Sequence, residues 1–558
     1  MRTLYFGTVL GCVSLITAPL HAAPTDSKSV HLNTRTLVET SAGSGRFNTV
    51  VKAEEWDPAK TAIVICDMWD KHWCQGATRR VAEMAPRMNE VIANARKQGI
   101  LIIHCPSDTM KFYVDTPERK LAQSAPKVAG RTPIPDRCSL DFRKEHALPI
   151  DDSDGGCNCM PQCKQGSPWR RQIDILQIEP GDAVTDNAEA FYLMRERGID
   201  NVILMGVHTN MCVLGRPFAI RKMVEQGQRV VLMRDMTDTM YNSRMSPYVS
   251  HFTGNDLVVE HIEKYWCPTI TSVDFLGGKT FRFSEDKRKH LAVIMAEDEY
   301  KTNETLPPFA LSHFGQDFKI SLIYGSDQSR DEIPGLDILD NADIALLSIR
   351  RRVIPSAELA HVRKFVADGK PVVGIRTASH SFASKDNKKA AEGHEEWTKF
   401  DSEVLGGNYH GHYNNKGTKP TLIWASKENA SHPILSGVSS SPFPVTSWLY
   451  KTAPLEKGAT PILMGQIEGS SPEEVMAWAF NRKDGGKSFY VALGHPDDFK
   501  ITDFRRLLSN AVYWAADLAA PEKFEEHLES NGKPVAVNSV IDRLKNGLEE
   551  AKLKKSVK

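Results

Sequence analysis

Two residues carry the best-placed reactive chemistry in this chain, Asp67 and Cys212. Asp67 directly follows the apolar run Thr61-Ala-Ile-Val-Ile-Cys66. Cys212 lies in Met205-Gly-Val-His-Thr-Asn-Met-Cys212-Val-Leu-Gly-Arg216, which follows a second run, Asn201–Met205. Pro217 is tolerated only near a helix start, so a regular helix is expected to begin close to Gly215. Cys212 then falls at or just before that N-terminus, where free amides and the helix dipole stabilise a thiolate. The same amides can hold an oxyanion during acyl transfer. A carboxylate at a neighbouring strand end can act as the base. The other reading of Cys212 is a small buried hydrophobe, and spacing alone leaves it open.

Both residues need strands to place them. Apolar strands at 61–66, 99–104, 201–205 and 229–233 alternate with helical patterns, notably Val81 to Gln98. Near-continuous apolar strands alternating with helices predict a parallel sheet covered on both faces, a doubly wound three-layer αβα domain over about 50–280. The charged stretch 281–288 is expected to be a linker. A second α/β series follows over 289–518, with strands at 291–295, 319–324, 344–348, 371–375, 475–480 and 488–493. Helices are expected at Ser356–Ala367 and about Thr502–Asp517. The fold expectation is two tandem doubly wound α/β domains. Residues 24–49 read as a polar lead-in and 519–558 as a charged tail.

The chain has 558 residues, of which 41% are hydrophobic and 25% charged, so it has material for two large cores. Lys+Arg and Asp+Glu are both 70, and this lack of basic excess argues against a nucleic-acid partner. Residues 1–23 hold one charge, Arg2, then a mainly apolar run ending in Leu20-His-Ala-Ala23. They read as a secretory signal peptide, which predicts a periplasmic or secreted protein. After residue 23 no apolar run approaches the roughly 18 residues of a membrane span. Cys138, Cys157, Cys159 and Cys163 cluster in a Gly/Asp/Pro-rich stretch. In an exported protein a disulfide-held loop is the first expectation, with tetrathiolate zinc as its rival. Asp70, His72, His104 and Asp108 have metal-binding chemistry but no diagnostic ligand spacing, so no metal is assigned to them.

The segment Gly206-Val-His-Thr-Asn-Met-Cys212-Val, with Ile65-Cys-Asp-Met-Trp-Asp70, resembles the isochorismatase-like cysteine hydrolases over about 50–280. The resemblance implies an Asp-Lys-Cys triad acting on amide or ureide C–N bonds of a small-molecule substrate. Cys212 would be the nucleophile, Asp67 the base, and the amides of Met211 and Cys212 the oxyanion hole. No cofactor is implied. His208 is placed to give a substrate hydrogen bond, or to be a partly exposed loop histidine. The family lysine is missing: its expected region, Ile175–Asn187, offers only Glu179, Asp182 and Asp186, and an anion there would raise the thiol pKa. Lys164, Arg170 and Arg171 are the substitutes in view. The alternative is a binding protein that kept the cleft and lost the triad.

Residues 289–518 resemble the ThuA-like (trehalose-utilisation) family, with the fold of class I glutamine amidotransferases. The residues are Val372-Val-Gly-Ile-Arg-Thr-Ala378, Gly406-Gly407 with Tyr409-His-Gly-His412, Leu493-Gly-His495, Arg505 and Asn510–Ala515. Where amidotransferases carry a nucleophilic cysteine this chain has Arg376, and no cysteine follows Cys267. Glutaminase chemistry is therefore disfavoured. A strand-end pocket with Arg376, His380 and His495, together with His410 and His412, is expected to suit a carbohydrate-type ligand or to be structural only.

Overall fold

The computed structural model describes residues 29–385, 390–413, 419–522 and 524. The expected leader and residues 525–558 of the tail lie outside the described residues. Among the described residues no helix is long and apolar enough to cross a membrane.

The first sheet contains β1 (Val30–Glu39), β2 (Phe47–Trp56), β3 (Thr61–Cys66), β4 (Leu101–Cys105), β5 (Ala183–Val184), β6 (Asn201–Val207), β7 (Arg229–Asp238) and β8 (Thr269–Ile270). Their order is β2-β1-β8-β7-β6-β3-β4-β5. β3 and β6 are buried at every residue, as central strands covered on both faces must be. They pair in parallel, with Cys66 opposite Gly206. From β3 the chain moves outward to β4, and from β6 it moves the opposite way to β7. The crevice at their carboxyl ends is thus the switch point where open α/β sheets bind ligands. Gly206 has φ 112°, and a Cβ there would lie 2.1 Å from the Cys66 carbonyl oxygen, so glycine lets the two strand ends close up.

The expected lead-in is not a loose segment. β1 and β2 form a ten-residue antiparallel hairpin, and β1 joins the sheet edge through Arg35 opposite Thr269. Val30, Leu32 and Thr34 point inward while His31 and Asn33 face out, and this period-two pattern made the stretch read as polar. The segment 281–288 is also packed. Phe281 and Phe283 join the first core, and Arg288 pairs with Asp256 at 2.9 Å.

The second sheet draws on β9 (Lys289–Ala296), β10 (Phe318–Tyr324), β11 (Ile344–Ile349), β13 (Val372–Ile375), β15 (Thr421–Ala425), β16 (Phe443–Val445), β17 (Ala459–Ile467), β18 (Glu474–Asn481) and β19 (Lys487–Val491); β12 (Ile354–Pro355) and β14 (His394–Glu395) form a separate ribbon. The order is β10-β9-β11-β13-β19-β18-β17-β15-β16. The parallel expectation holds from β10 to β19. From β18 outward the pairing is antiparallel, so this sheet is mixed. The helices Ser356–Ala367 and Thr502–Ala515 cover it.

The hairpin links the domains. The Asn48 side chain donates to the Tyr324 carbonyl at 3.1 Å and accepts from the Tyr324 amide at 3.0 Å. Arg46 pairs with Asp327 at 2.7 Å.

Candidate active site

Asp67 leaves β3 with φ 48° and no solvent exposure. Its Oδ1 accepts the Ser107 amide at 2.8 Å. Its Oδ2 lies 3.5 Å from the Arg216 guanidinium Nε. The Cys212 thiol is buried against both groups. Asp67, Cys212 and Arg216 therefore form one charge cluster at the switch point. Arg216 also reaches Asp108 at 3.3 Å.

Arg216 is a cation beside Asp67 and Cys212 that is not among the lysine substitutes read from the sequence. The expected regular helix does not follow Cys212. A single helical turn spans Cys212–Gly215, and the next helix begins at Ile220. So short a turn carries little macrodipole, which leaves Arg216 as the main cation facing the thiol. The Arg216 amide bonds the Cys212 carbonyl at 3.0 Å, an i,i+4 relation that returns its side chain to the same face. That spacing was the available signal. Of the cations that were considered, Lys164 and Arg170 are exposed, and Arg171 bonds Asp174 at 2.6 Å. Asp182 is taken by Arg96 and His104, and Asp186 accepts the Asp108 amide.

Burial, and then the Asp67 charge, push the Cys212 thiol well above the ordinary cysteine range, while Arg216 pulls it back. Burial also raises the Asp67 carboxyl, with Arg216 the largest opposing influence. The thiol is neutral at rest, and the Asp67 carboxyl beside it is the group placed to exchange its proton.

His208 is buried rather than partly exposed, and its Nε2 has no hydrogen-bond partner among the described residues. Burial holds its imidazole well below the usual range, so it is neutral. The Met211 amide closes a turn on the His208 carbonyl at 3.0 Å. Among the described residues the Cys212 amide has no backbone acceptor, which makes it the freer of the two expected oxyanion donors. An aromatic wall not foreseen in the sequence stands beside these groups. Trp69 stacks on Trp169 at 4.6 Å, and His72 meets His208 edge-on at 4.8 Å. His104 is locked between Gln172 and Asp182, and Asp70 accepts the Arg170 amide, so neither is presented as a metal ligand.

In the second domain Arg376 and the two histidines meet around shared tyrosines: Arg376 lies over the Tyr300 and Tyr450 rings, His380 stands 6.4 Å from Tyr450, and His495 stands 6.4 Å from Tyr300. Arg376 is buried with φ 47°. It donates to the carbonyls of Trp448 (2.9 Å) and Ala492 (2.7 Å) and lies over the Tyr450 ring at 3.9 Å. Its Nη1 ties two carbonyls together, and its Nε has no hydrogen-bond partner among the described residues. His495 lies beyond the cavity lining, packed edge-on to Tyr300. His380 does line a cavity of about 440 Å³, with Ser379, Trp397, Asp401, Tyr409 and His410. His380 stacks on Tyr409 at 4.5 Å, and burial pushes its imidazole down to about 3. Asp401, which the sequence did not single out, is pushed up to about 7 by burial, and its Oδ1 has no hydrogen-bond partner among the described residues. His412 packs against Trp448, with ring centroids 4.8 Å apart.

Both family expectations are met by comparison with known proteins. The isochorismatase-domain model matches residues 61–244 and the trehalose-utilisation (ThuA) model matches residues 330–515. A ThuA-like protein from Bacteroides uniformis is 16% identical, covering 46% of this chain and 99% of its own, with a TM-score of 0.32. A cysteine hydrolase from Pseudomonas syringae pv. phaseolicola is 17% identical over 39% and 92%, with a TM-score of 0.26. N-carbamoylsarcosine amidase from Thermoplasma acidophilum is 14% identical over 38% and 96%, with a TM-score of 0.22. No curated protein matches the chain.

Proposed function

We propose that the first domain is an exported hydrolase that cleaves an amide- or ureide-type C–N bond through Cys212. The observation that carries this reading is the Asp67–Arg216–Cys212 cluster at the switch point. The match to the isochorismatase domain over 61–244 supports the reaction class. In the proposed cycle Cys212 Sγ attacks the carbonyl carbon while its proton passes to Asp67. The oxyanion is held by the Cys212 amide. Asp67 returns the proton to the leaving nitrogen as the C–N bond breaks. A water, deprotonated by Asp67, then cleaves the thioester and the thiol regains its proton. Arg216 balances the charge that moves between carboxylate and sulfur, and His208 Nε2 bonds a polar group of the substrate. A missing cation favours a binding-only protein; Arg216 beside Asp67 supports the hydrolase reading instead.

For the second domain we propose a carbohydrate-type ligand in the cavity between His380 and Asp401, where aromatic faces and polar groups alternate.

The test is turnover of a panel of amides, ureides and carbamoyl derivatives. Cys212→Ala should abolish it, and Asp67→Asn should reduce it by about 10²–10⁴-fold. Turnover that survives Cys212→Ala would move the chemistry elsewhere.

A further inference from the structure

The cysteine-rich loop does not adopt the expected disulfide arrangement. All nine described cysteines are free thiols. Cys138 stands apart, its amide bonded to the Gly215 carbonyl. Its place among the four is taken by Cys74, which caps the helix Gln75–Gln98 and lies 83 or more residues before the other three. The Sγ atoms of Cys74, Cys157 and Cys159 lie within 4.8 Å of one another. Cys163 neighbours Cys157 and Cys159 but lies outside that group of three, so it would complete a four-sulfur site by moving its sulfur inward.

We propose that Cys74, Cys157, Cys159 and Cys163 form a tetrathiolate site for one thiophilic divalent cation of the zinc class. The Cys74 and Cys159 sulfurs are 3.8 Å apart. Two ligands of a tetrahedral ion with Zn–S of about 2.3 Å stand about 3.8 Å apart, whereas a disulfide requires about 2.05 Å. The sulfurs also meet backbone donors. The Gly76 amide donates to Cys159 at 3.3 Å, and the Gln75 amide donates to Cys163 at 3.5 Å. Such N–H···S bonds orient and stabilise metal-bound thiolates. Gly76 has no side chain where a Cβ would approach Cys159 Sγ to 3.3 Å, so the helix start can close on the loop.

Binding is an exchange in which the ion takes four sulfur ligands and the thiols release their protons. Its consequence would be local. The loop carrying three of the ligands also holds Asn210 through Asp152 (2.7 Å) and Asn242 through Asp154 (2.7 Å), and Asn210 lies two residues before Cys212. Trp73 and Met211 pack on the same cluster. The ion would therefore fix the wall behind the nucleophile. This inference does not rest on the hydrolase reading, because it concerns thiols outside the Asp67–Cys212 pair.

The test uses the full chain. Elemental analysis of the purified protein should find about one zinc per chain. Titration of the thiol-reduced, metal-stripped chain with cobalt(II) should give the intense visible bands of a tetrahedral tetrathiolate. Cys157→Ser/Cys159→Ser should lose both signals and keep the far-ultraviolet circular dichroism of the two sheets. The cobalt titration of the unsubstituted chain stands even if that variant does not fold. Metal-free protein whose thiols resist alkylation until reduced would establish disulfides and overturn the proposal. Nine alkylatable thiols in the described residues, with no cobalt spectrum, would overturn it equally.

Discussion

The Arg216 guanidinium lies 3.5 Å from the Asp67 carboxylate, and both face the thiol of Cys212. In the proposed hydrolase, this arginine four residues after Cys212 would take the charge role that the family resemblance assigns to a lysine. Arg216 favours the charged forms of both Asp67 and Cys212. Removing it should raise both pKa values. The base must be ionised to act, so the acid limb of the pH–rate profile should move to higher pH in Arg216→Met, with kcat/KM falling about 10²-fold. Arg216→Lys should restore part of the rate and return the limb toward its original position. A profile that Arg216→Met leaves unmoved would remove Arg216 from the mechanism.

Stability should also depend on the neutral histidines of the aromatic wall. Burial, and then Arg80, push the His72 imidazole down to about 4, and burial holds His208 lower than usual as well. An unfolded histidine titrates near about 6.5. The unfolded chain therefore binds more protons in the intervening range. The contribution is complete above about pH 6.5 and is lost as pH falls toward about 4. Urea denaturation at pH 5 should show about 1–3 kcal/mol less stability from these groups than at pH 7.5. His72→Gln should flatten that slope, and an unchanged slope would contradict the assignment.

The domain contact through Asn48 offers a third measurement. Its side chain satisfies both the amide and the carbonyl of Tyr324. Asn48→Ala leaves two buried backbone groups unpaired, which costs about 1–3 kcal/mol. Calorimetry should show the two domains unfolding less cooperatively in this variant, and more so when Arg46→Ala removes the Asp327 pair. A single transition at the original temperature would mean that the hairpin does not couple them.

The sequence by itself determined the strands that carry the chemistry. Thr61–Cys66 and Asn201–Val207 are apolar at nearly every position, and a strand buried on both faces has no other composition open to it. Asp67 and the Cys212 loop could be placed at their ends for that reason, and the second domain's parallel strands and flanking helices followed the same logic. The tertiary structure decided what depends on contacts between distant residues or on short-range turns. The β1–β2 hairpin hid behind its polar outer face. The antiparallel extension from β18 depends on strand pairing that local pattern does not encode. Arg376 ties the carbonyls of Trp448 and Ala492, which converge on it from far away in sequence. Cys74 joined the cysteine cluster only when the helix start folded against the loop. Arg216 reached Asp67 because one helical turn, cut short before Pro217, aimed it back into the crevice.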